Sequence, residues 1–180
     1  MKRYMDNLTR FDVPVKKAVS ELSKGQKIRL QLAFALSYDA RVYIFDEPAA
    51  NLDVEFRDEF YKIIRELVSD GKKSVVYVSH MMEELEEIAD YILWIKKQDN
   101  VGAVKYFGTI DELKESYRMF EGGKEVLVNI SRNVIVGGRK RESHEEWLVK
   151  NENLGDLNNK QLRYADLKEI MYYEEKGEIR

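Results

Sequence analysis

The chain has 180 residues, a formal net charge of −3, 44% hydrophobic and 35% charged residues, and no cysteine. This composition excludes a disordered chain, a disulfide framework and any thiolate metal site, and its mild acidity argues against broad nucleic-acid binding. No apolar run approaches the roughly 18 residues that span a bilayer, and Met1-Lys2-Arg3-Tyr4-Met5-Asp6 offers no apolar stretch for a secretion signal. One domain, or one with an appendage, is expected, long enough to bury about 70% of its unfolded surface.

In chain order, the first predicted element is a helix with Ile28, Leu32, Ala35 and Leu36 on one face. Val42-Tyr43-Ile44-Phe45 follows as a short apolar strand ending in Asp46-Glu47-Pro48. A second helix places Phe56, Phe60, Ile63, Ile64 and Leu67 on one face, and Asp70-Gly71 stops it. Ser74–Ser79 and Tyr91–Ile95 are further β-branched or aromatic runs, separated by a short helix marked by Leu85, Ile88 and Ala89. Such runs suit buried strands of a parallel sheet, and their alternation with helices predicts a βαβ arrangement of α/β class.

The pattern changes after Ile95. Residues 96–102 read as a turn and Val104–Phe107 as a returning strand, which makes a hairpin. Asp111–Met119 reads as helix, and Gly122-Gly123 marks a module boundary, giving domains 1–121 and 122–180. Beyond it lie strand-like Val126–Ile130 and Val134–Val136, a polar connector Asn151–Asn159, and a final helix with Leu167, Ile170 and Met171 on one face and Gly177 past its end. His144 sits in a charged run as a surface residue, and Tyr172-Tyr173 reads as packing.

Four segments carry candidate chemistry. Ser23 followed by Gln26 is a capping-box pattern opening the first helix. That helix start suits a phosphate, and Gly25 permits close backbone approach. Asp46-Glu47 ends an apolar strand, at the edge where ligands bind in open α/β sheets. One carboxylate there can hold Mg²⁺ and its neighbour can orient or deprotonate a water. Asp53 in Ala50-Asn51-Leu52-Asp53 is a candidate N-cap, and His80 follows the second strand. Singly, each has a structural reading: a capped helix, a solvated strand edge, a loop, a surface histidine.

Together, Leu22-Ser23-Lys24-Gly25-Gln26, Phe45-Asp46-Glu47-Pro48, Asn51-Leu52-Asp53 and Ser79-His80 resemble, in order and spacing, the signature motif, Walker B strand, D-loop and switch histidine of ABC ATPases. The resemblance covers about Ser20 to Phe107. It implies an ATP-binding, ATP-hydrolysing transporter subunit with the C-terminal part of a P-loop ATPase fold and a small α/β module after it. Asp46 would help hold Mg²⁺, Glu47 would be the general base, and His80 would contact the γ-phosphate. Ser23, Lys24, Gly25 and Gln26 would close over the nucleotide of a second subunit in a head-to-tail dimer, with Asp53 communicating between the sites. An integral-membrane partner and a place on the cytoplasmic face of the membrane are implied as well.

Lys24 and Ala49 depart from the usual signature and post-Walker residues. The tail, Asp166–Tyr173, is similar to the end of bacterial export ATPases, so export is the expected direction. No G-x-x-x-x-G-K-[ST] occurs: Gly71-Lys72 has Glu66 at the position of the first glycine, and Gly123-Lys124 has Arg118. The chain is therefore expected to be a truncated product, a fragment or half of a split subunit, inactive alone. A non-transport ABC ATPase and an inert interaction fragment remain the alternatives.

Overall fold

The computed structural model describes residues 1–98, 101–129, 131–141, 144–154, 157 and 161–179. The chain forms two compact units, Met1–Met81 and Met82–Arg180.

The first unit contains α1 (Lys2–Arg10), α2 (Lys24–Ala35), β1 (Val42–Asp46), α3 (Val54–Val68) and β2 (Ser74–Val78). β1 and β2 pair in parallel, from Val42 opposite Ser74 to Asp46 opposite Val78, with α3 as the crossover. This is the predicted βαβ unit. α3 starts where the Asp53 side chain accepts the Phe56 N–H, and beyond its end Gly71 takes a φ of 68°, a conformation that costs glycine nothing. Phe56, Phe60, Ile63 and Ile64 are buried on one stripe, and the Phe60 ring meets Phe45 edge-on at 5.4 Å. The apolar runs predicted strands buried on both faces. Instead, β1 alternates: Tyr43 and Phe45 are buried, while Val42 and Ile44, with Val76 and Val78 of β2, are exposed.

The second unit holds α4 (Met82–Ile88), β3 (Tyr91–Gln98), β4 (Val101–Thr109), α5 (Ile110–Glu115), β5 (Tyr117–Glu121), β6 (Ile135–Lys140), β7 (Glu145–Lys150), β8 (Leu162–Tyr164), α6 (Leu167–Lys176) and β9 (Glu178–Ile179). β3 pairs antiparallel with β4 in a sheet of its own, so the third apolar run does not extend the parallel pair. The hairpin is longer than predicted. Lys96 to Gln98 and Val101 to Gly102, read as turn, are paired across the strands; Asp99 and Asn100 lie outside the described residues.

The remaining strands form one sheet in the order β8-β5-β7-β6-β9. The helix predicted over Asp111–Met119 stops at Glu115, and Tyr117 onward becomes β5, because Met119 and Phe120 gain complete burial there. The strand predicted at Val126–Ile130 is a 3₁₀ turn over Lys124–Asn129 whose Leu127 enters the core. Ile130 lies outside the described residues, as does most of the second half of the Asn151–Asn159 connector. β7 and β8 were not foreseen. Phe120, Leu127, Val134, Trp147, Val149 and Leu157 form the core cluster. α6 is capped by Asp166, buries Leu167, Ile170 and Tyr173, and ends at Gly177 with φ 65°.

Gly122-Gly123 falls inside this sheet, since β5 before it pairs with β7 and β8 after it. The two compact units meet at Met81/Met82.

Glu146 is a buried carboxylate in β7. It accepts hydrogen bonds from Arg139, Arg141 and the Tyr173 hydroxyl. Burial pushes its carboxyl up, but the bonds from Tyr173 and Arg139 outweigh this and hold it below the usual 4.5. A lowered carboxyl pKa contributes stability above the unfolded value that is lost as pH falls through and below it. The urea midpoint of this unit is therefore expected to drop with acidification through the region of 4.5. Glu146→Gln should flatten that drop, and an equal acid slope in both proteins would remove Glu146 from the cause.

Candidate functional site

Asp46 is the last residue of β1, and Glu47 follows in the left-handed region with φ 47°. That conformation is uncommon for a residue with a side chain and persists only when neighbours hold it. Here the Glu47 N–H donates to the Val78 carbonyl at 2.9 Å. Its Oε1 accepts the His80 N–H at 3.0 Å and lies 2.7 Å from His80 Nδ1. A carboxylate is thus fixed against an imidazole at the C-terminal edge of parallel strands, both reachable by solvent. This geometry can orient a water and move a proton. Beside it lies a cleft of about 260 Å³, walled by Ile28, Gln31, Leu32 and Ala35 of α2 and by residues 44–48.

Ser23 caps α2 as predicted. Its Oγ accepts the Gln26 N–H at 3.2 Å, and Gln26 Oε1 accepts the Ser23 N–H at 3.1 Å. Lys24 and Gly25 open the helix, with Lys24 exposed. A Cβ on Gly25 would sit 3.2 Å from the Asn51 carbonyl, so the helix start rests against the Asn51–Asp53 loop. Asp53 caps α3 through Phe56 and pairs with Arg29. The Phe56 N–H, and then the Arg29 guanidinium, lower its carboxyl pKa.

The predicted residues thus fall into two groups. Asp46, Glu47 and His80 gather at the strand ends, and Ser23, Lys24, Gly25 and Gln26 adjoin the Asp53 loop. Arg29, which joins the second group, was missed by sequence reasoning; a single arginine on a helix carries no local signal of a tertiary ion pair. Among the described residues, no group of three or more His, Cys, Asp or Glu could hold a metal. One or two carboxylates completed by phosphate oxygens and water is nevertheless a donor set that Mg²⁺ accepts, and the exposed Asp46 carboxylate fits it.

The family model "ABC transporter" matches residues 1–50. The chain is 36% identical over 104 residues to the ribose import ATP-binding protein RbsA 3 of Rubrobacter xylanophilus, covering 58% of this chain and 21% of that one. It is 30% identical over 128 residues to the glucose import ATP-binding protein TsgD13 of Haloferax volcanii, covering 71% and 22%. It is 36% identical over 94 residues to the sulfate/thiosulfate import ATP-binding protein CysA of Yersinia pestis, covering 52% and 25%. The chain spans about a fifth to a quarter of these curated relatives. Their names speak of import, so the export expected from the tail finds no support in them. Among solved structures, a dimeric ATP-binding cassette, MJ0796, bound to ADP and Pi shares the fold at TM-score 0.51 and 22% identity, over 60% of this chain and 46% of that one. By sequence and by its mixed α/β fold, this chain resembles the ATP-binding subunits of ABC transporters, over a minor part of their length.

Proposed function

We propose that this chain supplies the signature, Walker B, D-loop and histidine elements of an ATP-hydrolysing site that drives transport. The Glu47–His80 pair, held on a left-handed residue, is the observation that carries this reading. In it, Glu47 takes a proton from the attacking water, and His80 orients Glu47 and faces the terminal phosphate. Asp46 would hold Mg²⁺, which would neutralise phosphate charge. Ser23, Lys24, Gly25 and Gln26 present backbone N–H groups and a positive helix end to a nucleotide held by a second ATPase subunit. Among the described residues no helix is long and apolar enough to cross a membrane. The transport step then falls to an integral-membrane partner, with this chain peripheral to its cytoplasmic face.

The absence of G-x-x-x-x-G-K-[ST] from these 180 residues favours a second component of the reading. The loop that grips the phosphates would come from polypeptide outside them, continuous or separate. Affinity then follows from what is present. Two charge-assisted hydrogen bonds contribute about 1.5–3 kcal/mol each, and the helix end adds about 0.3–1 kcal/mol. Association costs about 4 kcal/mol or more. The balance corresponds to about millimolar binding or weaker. Calorimetry on this chain with Mg-ATP is expected to show no micromolar dissociation constant. Finding one would place a complete phosphate grip within these residues.

A further inference from the structure

Arg29 lies on α2, six residues after the Ser23 cap, and its side chain is only 20% exposed. One nitrogen, Nη2, donates to Asp53 Oδ2 at 2.5 Å, and Nη1 donates to the Phe11 carbonyl at 3.3 Å. The guanidinium carbon Cζ lies over the Phe56 ring, 4.2 Å from its centroid. Asp53 needs no arginine to cap α3, because its other oxygen, Oδ1, already accepts the Phe56 N–H at 2.9 Å. Ordering an arginine side chain costs rotamer entropy, which here is offset by contacts to two separate segments, the Phe11 turn and the start of α3. The same loop is touched a second time, where Gly25 approaches the Asn51 carbonyl. The α2 start and the Asn51–Asp53 loop are thus fastened at two points, one by close backbone approach and one by Arg29.

We propose that Arg29 is a positioning residue that clamps the Ser23–Gln26 turn to the Asp53 loop, so that nucleotide contact at the turn is felt at the start of α3. The proposal rests on the nucleotide-facing reading of those residues given above. A planar guanidinium serves where lysine does not, since lysine can neither bridge two acceptors in a fork nor stack on Phe56 in the same way.

Amide hydrogen exchange on the full chain tests the clamp, using Asp53→Ala, Arg29→Lys and Arg29→Ala. The Gln26 and Lys27 amides are capped locally by Ser23, so Asp53→Ala removes none of their own partners. With the clamp, both amides are expected to exchange about tenfold faster in Asp53→Ala and in Arg29→Ala, as local opening becomes easier. Arg29→Lys should give a smaller change in the same direction. Unchanged exchange at Gln26 and Lys27 in Asp53→Ala overturns the clamp, and the milder lysine variant keeps the test open if Arg29→Ala does not fold. A second arm adds millimolar Mg-ATP. In the wild type, protection is expected at Ser23 to Lys27 and also at Phe56 and Arg57; in Arg29→Ala it should remain only at the former. A packing role alone would not transmit protection in this way. With Mg-ATP raised well above the millimolar range, no nucleotide response anywhere in the wild type sinks the nucleotide-facing reading and with it the positioning role, while the first arm still decides whether the clamp exists.

Discussion

In any assembly of this chain that turns over ATP, Glu47→Gln is expected to lower hydrolysis by about 10²–10⁴-fold, the usual share of general-base catalysis. Nucleotide binding should persist, because glutamine keeps the shape and one acceptor oxygen. Oε1 at position 47 can still accept the His80 N–H, which lies 3.0 Å away in the wild type. What is lost is the carboxylate proposed to take the proton. Asp46→Asn should behave differently and weaken Mg²⁺-dependent nucleotide binding, since a charged ligand to a hard cation is removed. Steady-state turnover and equilibrium binding of the two variants separate the roles. Unchanged turnover in Glu47→Gln would take that residue out of the chemistry.

The largest effect on stability is expected in the second unit. Phe120 is fully buried, sits opposite Trp147 across β5 and β7, and shares a core with Leu127, Val134, Val149 and Leu157. Phe120→Ala deletes a ring that the surrounding strands cannot collapse to replace, and should cost about 3–5 kcal/mol. That is a large fraction of the roughly 5–15 kcal/mol by which domains of this size are stable. Urea unfolding followed through tryptophan fluorescence, with Trp147 as the neighbouring reporter, measures it. A loss no greater than that of an exposed apolar residue such as Val126 would contradict the packing described here.

The first unit was largely legible from sequence because its signals are local. The 3.6-residue stripe of α3, the Ser23–Gln26 cap and the Asp53 cap each lie within a few residues, and all three appear as read. That Glu47 and His80 share a site followed only from resemblance, and their direct contact, between residues 33 apart in sequence, emerges only in the fold. The second unit was read less well. β7 was missed because Trp147-Leu148-Val149 is flanked by charged residues, and its burial depends on β5 and β6 on either side. Tyr117–Met119 continued a helical pattern by propensity, yet cross-strand burial of Met119 and Phe120 outweighed it. Val126–Ile130 has strand-forming residues, but the Val126 N–H bonds back to the Gly123 carbonyl and closes a tight turn instead. The same contrast holds at the site. Types and spacing of the candidate residues were visible, while Arg29 and the left-handed backbone of Glu47 emerged only in three dimensions.

An NMR titration of the isotopically labelled chain with Mg-ATP tests most directly whether these residues face a nucleotide. The expected result is a set of shifts centred on Ser23, Gly25 and Gln26 and on Asp46, Glu47 and His80, approaching saturation only at about millimolar concentration or above. Shifts that leave all six unmoved, or that cluster on the second unit instead, would contradict it.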